Sequence, residues 1–528
     1  MPLGFWEVYS IGVGGMIGGG IFAVLGLSLT LAGFAAPVAF LLAGIVAALT
    51  GYSYAKLSVR YPSRGGTIEF LVRGFGPGLL SGALNLLLFL SYTVMIALYA
   101  YAFGSYAAGG LGLGGAWPRV FAVAVILVFT LVNALGVVVS GRVEEGLVFF
   151  KLFVLLLVAG AGLALVEWSR FAPSNWPSII RVVTGGMIIF LAYEGFELIA
   201  NAARDVEDLR VIPKALYASI ATVITIYILV AIVAAGVLSP EEVIKYRDYV
   251  LAVAAKPSLG EIGFTLVVLG ALASTSSAIN ATLFGTGRAS YVVAKYGHLP
   301  GWFGRRLWRE ATEGLLIIAG ISALLAGLAS LEQISVAGSA GFLLVFTAVN
   351  IAAYRLWREA RVNRVVAAAA IAATLSSLIV LVGYTLLTNP VQVEVFLAIL
   401  AASFAAEYLL QKRRRIHEYI DEELRVREEN IRSWASWLPR LAREVREELR
   451  EGEVYLVGSV ARGELHRAHD VDLLVVTRRA ESEVREVVRR VMERLGLHPY
   501  RHPVDVHVAR PEEKEKRLRE SRGYKRLA

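Results

Sequence analysis

The chain is 528 residues long, 56% hydrophobic and only 18% charged, with a mean hydropathy of +0.61, a balance too apolar for a water-soluble protein of this length. It contains no cysteine, which excludes disulfides, thiolate chemistry and cysteine-based metal sites. Its charge is concentrated late: residues 1–400 hold 24 Lys+Arg and 19 Asp+Glu, while 401–528 hold 28 and 24, so a soluble domain is expected to follow a polytopic membrane part.

Apolar stretches of about 20 residues, enough to cross a bilayer, fall near 5–33, 37–59, 79–107, 119–139, 147–166, 182–203, 214–238, 261–293, 314–331, 334–355, 365–387 and 391–410, twelve in all. The apolar start lacks a basic flank and a clear cleavage site, so it is read as the first span and not as a signal peptide. With the N-terminus in the cytoplasm, the inner loops collect seventeen cations, Lys56, Arg60, Arg64, Arg73, Arg142, Arg204, Arg210, Lys214, Arg288, Lys295, Arg305, Arg306, Arg309, Arg355, Arg358, Arg361 and Arg364. The opposite loops collect six, Arg119, Arg170, Arg181, Lys245, Arg247 and Lys256. The positive-inside rule therefore predicts a multi-pass protein of the cell membrane with both termini cytoplasmic.

The first span holds Gly12-Val-Gly-Gly-Met-Ile-Gly-Gly-Gly-Ile-Phe22, six glycines within nine residues. Each costs roughly 1 kcal/mol against Ala inside a helix, so the stretch is expected to break the helix. Unwound backbone at membrane depth persists where protein, water or a ligand satisfies it, which makes the break a candidate binding site; close helix packing by small residues is the other reading. The sixth span carries a second interruption, Gly185-Gly-Met-Ile-Ile-Phe-Leu-Ala-Tyr-Glu-Gly-Phe-Glu197. Its carboxylates Glu194 and Glu197 demand a partner or a cavity if they lie at membrane depth, and are simply solvated if they lie at its edge. Glycine-broken spans at matching positions of two halves point to a transporter with a site at the bilayer midplane.

Four ordered motifs resemble the amino acid–polyamine–organocation (APC) superfamily of secondary transporters. Gly18-Gly-Gly-Ile-Phe22 is similar to its helix-one G-x-G-I-F, and Tyr61-Pro-Ser-Arg-Gly-Gly-Thr67 to the Y-P-x-x-G-G-x-Y after helix two, with Thr67 in place of Tyr. Phe190-Leu-Ala-Tyr-Glu-Gly-Phe-Glu197, trailed by Asp205-Val-Glu-Asp and Ile212-Pro213, is similar to the helix-six motif, although the proline of its N-P pair is missing. Ala271-Leu-Ala-Ser-Thr-Ser-Ser-Ala-Ile-Asn280, Arg288 and Tyr296-Gly-His-Leu-Pro300 resemble the helix-eight run and the loop after it.

The resemblance covers about residues 3–410 and implies an all-α membrane protein of twelve helices, a five-plus-five inverted repeat with two extra helices and breaks in helices one and six. It places a small amino acid at those breaks. Independently, the N–H groups around Gly18, Gly19 and Gly20 at the start of the second half-helix suit a carboxylate. Carbonyls freed near Ile17 and around Phe190, Ala192, Glu194 and Gly195 suit an ammonium, and Phe190 or Leu191 is a candidate lid; in relatives an aromatic residue often stands where Leu191 is. Backbone contacts read only the α-groups, so they name no particular amino acid.

Lys151 lies on helix five, six residues past Glu145 and so about 9 Å further along. In proton-coupled members such a lysine takes the place of a sodium ion near helix-eight hydroxyls, for which Ser274, Ser276 and Ser277 are the candidates. Burial would let it release a proton; the bland reading is a lysine at the cytoplasmic edge that reaches out to water. Transport requires no cofactor in this reading. A polyamine or organocation carrier, or an amino acid exchanger, is the competing function.

Beyond residue 410 comes Gln411-Lys-Arg-Arg-Arg415, expected at the inner leaflet or as a plain stop-transfer flank, and a charged helical connector to residue 450. Residues 451–528 read as strand–turn–strand–helix–strand. Gly458-Ser459 forms the turn, Asp470 and Asp472 share one strand face, and Asp505 stands on a later strand. This spacing resembles the nucleotidyltransferase superfamily in minimal form, a small α/β domain. The resemblance implies that Gly458 and Ser459 approach a nucleoside triphosphate while Asp470, Asp472 and Asp505 hold Mg²⁺. An ordinary pair of strand-edge aspartates is the bland reading. The domain is expected to be regulatory or catalytic, with a partner protein or tRNA as the acceptor in the latter case; a membrane-attached nucleotidyltransferase is the remaining alternative. The sequence does not specify the oligomeric state.

Overall fold

The structure, a computed structural model, describes the chain except residues 1–2, 64, 136–140, 207, 296–305, 309–310, 412–425, 466–467, 469, 498–501 and 522, and only the backbone of 141–145, 284–295, 306–308, 311–312 and 411. The expected loop motif Tyr296–Pro300, the basic cluster after Gln411 and the side chains of Glu145, Arg142, Arg288, Lys295 and Arg306 therefore lie outside the described residues, as do Arg64, Arg305 and Arg309. The chain divides into two units, Met1–Arg414 and Arg415–Ala528.

The first unit is helical: α1 (Phe5–Met16), α2 (Gly20–Ala32), α3 (Ala36–Arg60), α4 (Thr67–Phe75), α5 (Leu79–Gly110), α6 (Trp117–Ala134), α7 (Gly141–Gly162), α8 (Ile179–Ile189), α9 (Leu198–Asn201), α10 (Val211–Val237), α11 (Pro240–Lys245), α12 (Val250–Lys295), α13 (Glu313–Leu328), α14 (Leu331–Arg355), α15 (Arg364–Thr388) and α16 (Glu394–Gln411). A hairpin of β1 (Arg306–Trp308) and β2 (Ala311–Thr312) separates α12 from α13.

Among the described residues ten helical stretches are long and apolar enough to cross a membrane, against the twelve segments expected. Two features of the chain account for the difference. The first segment is split at residues 17–19, and its second half, α2, runs into α3 through a single 3-10 turn at Gly33–Ala35. The 16 residues of α13 span only about 24 Å, short of a hydrocarbon core about 30 Å thick.

The stretches holding α5, α8 and α14 are 78%, 89% and 89% buried, whereas those of α6, α15 and α16 are 28%, 28% and 22% buried. The latter expose Leu127, Leu131, Val365 and Leu387, as lipid-facing helices do, since lipid is as apolar as leucine. Tyr54 of α3 lies edge-on to Phe70, Phe196 and Phe346, and Phe346 also meets Phe190 and Phe342. This aromatic cluster packs behind the residues that interrupt α8 and α9.

The second unit holds a four-stranded sheet in the order β5-β4-β3-β6, formed by β3 (Glu453–Val457), β4 (Val471–Val476), β5 (Val504–Ala509) and β6 (Tyr524–Arg526). β3 pairs antiparallel with β4 and β6, while β4 and β5 run parallel, joined through the helix Glu481–Arg494, as a parallel pair requires a crossover. Alternation sorts the faces. Val454, Leu456, Val471, Leu473, Val475 and Val506 enter one core with Leu438, Leu441 and Val445 of the helix Trp434–Leu449 and with Val484, Val488 and Val491 of the crossover helix. The opposite face carries the smaller cluster of Tyr455, Val457, Leu474, Val476, Ala509 and Leu518. It is also the face of Asp472, Asp505 and His507.

Candidate functional site

The two interruptions meet. α1 ends at Met16 and α2 begins at Gly20, leaving Ile17, Gly18 and Gly19 outside either helix. After α8 a 3-10 turn, Phe190–Tyr193, gives way to extended backbone at Glu194 and to Gly195 at φ +122°, before α9 resumes at Leu198. A Cβ on Gly195 would stand 2.4 Å from the Gly15 carbonyl carbon and 2.6 Å from the Met16 nitrogen. A Cβ on Gly20 would stand 2.7 Å from Cα of Ala192. Only glycine lets the backbones approach this closely, so the small-residue packing and the helix breaks coincide at the same residues.

The exposed carbonyls find side-chain donors. The Tyr227 hydroxyl of α10 donates to Met16 O (2.8 Å) and to Ala192 O (3.1 Å), one group serving both breaks. Ser274 of α12 donates to Ile17 O at 3.0 Å and also contacts Gly18 O, while Ser276 and Ser277 are half-buried. Each carbonyl retains a second lone pair, so these donors brace the break without using up the acceptors of Ile17 and Ala192. The first N–H groups of α2, from Gly20 onward, have no partner within the helix. Tyr99 of α5 packs its ring against Gly19 beside Thr275 and donates to Glu194 Oε2 at 3.5 Å.

Glu194 and Glu197 are 4% and 1% exposed, which corrects the solvated-edge reading. Glu197 is held on both oxygens, by the Gly195 N–H at 2.7 Å and by the Tyr92 hydroxyl at 3.0 Å. Phe190 is fully buried against Phe346, and Leu191 lies over Gly338 of α14. Lys151, 2% exposed, points its Nζ at Gly14 O, 3.4 Å away, one turn before the first break. That burial rules out the lysine that reaches to water. The residues missed by sequence reasoning are tyrosines of apolar spans, Tyr92, Tyr99 and Tyr227. A hydroxyl inside a span must find a partner, and that requirement was the available signal.

In the second unit the parallel register sets Asp472 of β4 directly beside Asp505 of β5. His507, two residues on and on the same face, brings Nε2 to 3.3 Å from Asp472 Oδ1 and 3.7 Å from Asp505 Oδ2. The Asp472 hydrogen bond holds this imidazole above its usual range, with the two carboxylate charges adding to it against partial burial. One ligand atom from each of the three residues lies within 4.8 Å of the others. Asp470 is half-buried on the bend before β4 and is not in this trio, whose third member is His507, a residue that sequence reasoning did not single out. Gly458, at φ +75° between β3 and the turn carrying Ser459, faces the same point: a Cβ there would fall 1.8 Å from Asp472 Oδ2. Two carboxylates, an imidazole and a cradle kept open by a glycine fit a divalent cation.

Residues 3–405 match the amino acid permease family and residues 438–527 the nucleotidyltransferase domain family. The inner membrane transport protein YbaT of Escherichia coli (strain K12) is 39% identical over 387 residues, 72% of this chain and 89% of the relative. The uncharacterized protein MJ0609 of Methanocaldococcus jannaschii is 37% identical over 394 residues, 73% of this chain and 90% of the relative. A methylthioribose transporter of Bacillus subtilis (strain 168) is 26% identical over 373 residues, 66% and 80% of the two chains. A family match that spans the whole helical unit, with relatives this similar along nearly all of their length, means that the chain belongs to the amino acid permease family and carries a nucleotidyltransferase domain at residues 438–527.

Proposed function

We propose that this permease is a secondary active, proton-coupled amino acid transporter of twelve spans arranged as a five-plus-five inverted repeat with two further helices, both termini cytoplasmic. It works by alternating access around the paired breaks. The observation that carries the reading is the meeting of the two interruptions, Gly15 against Gly195 and Gly20 against Ala192. An α-carboxylate is taken by the N–H groups at Gly18, Gly19 and Gly20 and an α-ammonium by the carbonyls at Ile17, Phe190 and Ala192, as helix-terminus physics favours. Phe190 and Leu191 close over the substrate. Lys151 with Ser274 supplies the coupling position that sodium holds in other members.

Glu194, buried beside the break with Tyr99 at 3.5 Å and Glu197 as a second hydrogen-bond partner, favours one second reading, a carrier of amines or cationic amino acids whose extra charge meets this pair of carboxyl groups. Uptake of labelled amino acids and amines into proteoliposomes separates the two, and failure to move any amino acid overturns the first. An inward proton gradient should drive uptake without sodium, and Lys151→Ala should abolish that dependence. A sodium requirement in the unaltered protein refutes the assignment of Lys151.

For residues 438–527 we propose binding of a nucleoside triphosphate with a divalent cation, Mg²⁺ in the sequence-based expectation. Asp472 and Asp505, with Asp470 and Ser459 beside them, would hold the ion and the phosphates; the ion, when bound, supplies neutralisation of phosphate charge. Gly458 leaves room for the Asp472 carboxylate against the backbone of the turn. Nucleotide occupancy either gates the permease or feeds transfer to a protein or tRNA acceptor. Calorimetry of the full chain with ATP and the cation, beside the Asp470→Asn/Asp472→Asn double variant, tests the binding, and equal affinity in both refutes it.

A further inference from the structure

We propose that His507 is a ligand of the divalent-cation site and that its imidazole turns that site toward Mn²⁺ or Zn²⁺ and away from Mg²⁺; this rests on the cation-binding reading of residues 438–527. Three observations converge. The first is placement. The β5 residues on this face are Asp505, His507 and Ala509, and Ala509 already belongs to the apolar cluster with Tyr455, Leu474 and Leu518. Position 507 is exposed, and there a nitrogen donor stands on the same side as both carboxylates.

The second is distance. Two donors each about 2.1 Å from one metal ion, at octahedral or tetrahedral angles, lie about 3.0–3.4 Å from each other. Nε2 of His507 is 3.3 Å from Asp472 Oδ1 and 3.7 Å from Asp505 Oδ2, so the nitrogen stands near the edge length of a coordination polyhedron from each carboxylate, and all three donors lie within 4.8 Å of one another. The Asp472 carboxylate packs directly against Gly458, where a Cβ would collide with it, so the absence of a side chain there is what lets Asp472 take this place.

The third is donor chemistry. Mg²⁺ binds through oxygen and keeps most of its water, whereas imidazole suits Zn²⁺ and other first-row ions, and Mn²⁺ accepts both donor types. An imidazole beside Asp472 and Asp505 therefore gives up part of the selectivity for Mg²⁺ that oxygen donors alone would have. The bland account is that His507 only pairs with Asp472 through the hydrogen bond between them. In that case no nitrogen would ever be bonded to the ion.

The test uses the full chain in detergent with Mn²⁺ as the probe and Asp472→Asn to identify ions bound at this site. Pulsed electron paramagnetic resonance should show a nitrogen coupling to the bound Mn²⁺ that changes isotope when the histidines are ¹⁵N-labelled and vanishes in His507→Ala. Loss of the ligand should weaken Mn²⁺ binding by at least about tenfold, the scale of changes around metal sites, while Mg²⁺ binding, read by competition, moves far less. His507→Gln, which offers an amide oxygen and keeps a polar side chain, should bind Mg²⁺ as well as Mn²⁺ with no nitrogen coupling; this guards against misfolding of the alanine variant. Asp472-dependent Mn²⁺ without nitrogen coupling, or equal losses of Mn²⁺ and Mg²⁺ in His507→Ala, overturns the role of His507 alone. The absence of any Asp472-dependent ion overturns the cation-binding reading beneath it.

Discussion

Gly195→Ala is the most direct perturbation of the contact between the two breaks. The residue sits at φ +122°, where a side chain brings strain of about 1–3 kcal/mol. The new methyl would also lie 2.4 Å and 2.6 Å from backbone atoms of Gly15 and Met16, atoms that cannot rotate away as a side chain could. Overpacking of this kind costs about 1–3 kcal/mol, so the contact is weakened by roughly 2–6 kcal/mol in total. At 1.4 kcal/mol per factor of ten, the middle of that range moves the equilibrium between joined and separated breaks by about three orders of magnitude. The chain lacks cysteine, which permits an assay that needs no knowledge of the substrate. Thr275→Cys places a thiol at a fully buried position beside Gly19, and its rate of labelling by a water-soluble maleimide reports separation of the breaks. Adding Gly195→Ala should raise that rate by a factor of ten or more and lower the apparent melting temperature. Gly383→Ala is the control: it lies in α15 with nothing within 4 Å of its Cβ position and should gain up to about 1 kcal/mol from helix propensity. If Gly195→Ala labels and melts like Gly383→Ala, the close meeting of the two breaks is wrong.

Tyr227→Phe removes the donor shared by Met16 O and Ala192 O; it should cost about 1–3 kcal/mol and raise Thr275→Cys labelling less than Gly195→Ala does, with the exposed Tyr217 as a silent control for the same change. Gly458→Ala and Gly463→Ala share a left-handed backbone, φ +75° and +79°, but only the first collides with Asp472; metal binding measured by calorimetry should therefore be lost in Gly458→Ala and kept in Gly463→Ala. The hydrogen bond that His507 donates to Asp472 raises its proton affinity in the folded chain, so without metal this contact stabilises the fold fully below the ordinary imidazole value of about 6.5 and fades as pH rises through the raised folded value. A histidine NMR titration should find His507 titrating above the unfolded range and Asp472→Asn bringing it back down; no movement on that substitution refutes the contact.

The places where sequence reasoning succeeded are those where a local rule has a single physical outcome. Six glycines in nine residues weaken the first span, which breaks at residues 17–19 although Gly12, Gly14 and Gly15 stay helical, and the stretch from Gly185 to Glu197, with its two carboxylates, is not an ordinary span; both are interrupted. What it could not supply is which neighbour satisfies the interruption. Tyr227 is 211 residues from Met16 and 35 from Ala192, and its hydroxyl reaches both only because α10 packs against α1 and beside the 3-10 turn Phe190–Tyr193. The span tally differed for a related reason: hydropathy marks apolar length, but whether α2 and α3 count as one helix or two turns on three residues of 3-10 geometry at Gly33–Ala35.

The C-terminal site illustrates the limit at the scale of one strand pair. Period-two alternation set Asp470 and Asp472 on one face, but it cannot tell where the sheet begins, and β4 starts only at Val471. Asp470 therefore stands on the bend outside the ladder, while Asp472, inside it, is fixed opposite Asp505 by the parallel register. The same alternation applied to Val504-Asp-Val-His-Val508 puts His507 on the face of Asp505, so the imidazole was within reach of sequence reasoning once the register was known. Register between β4 and β5 depends on how the Glu481–Arg494 helix packs Val484, Val488 and Val491 onto Leu473 and Val475. A one-residue slip would turn Asp505 and His507 into that apolar core, and the cost of burying them there is what ties the chemistry of the site to the packing on the far side of the sheet.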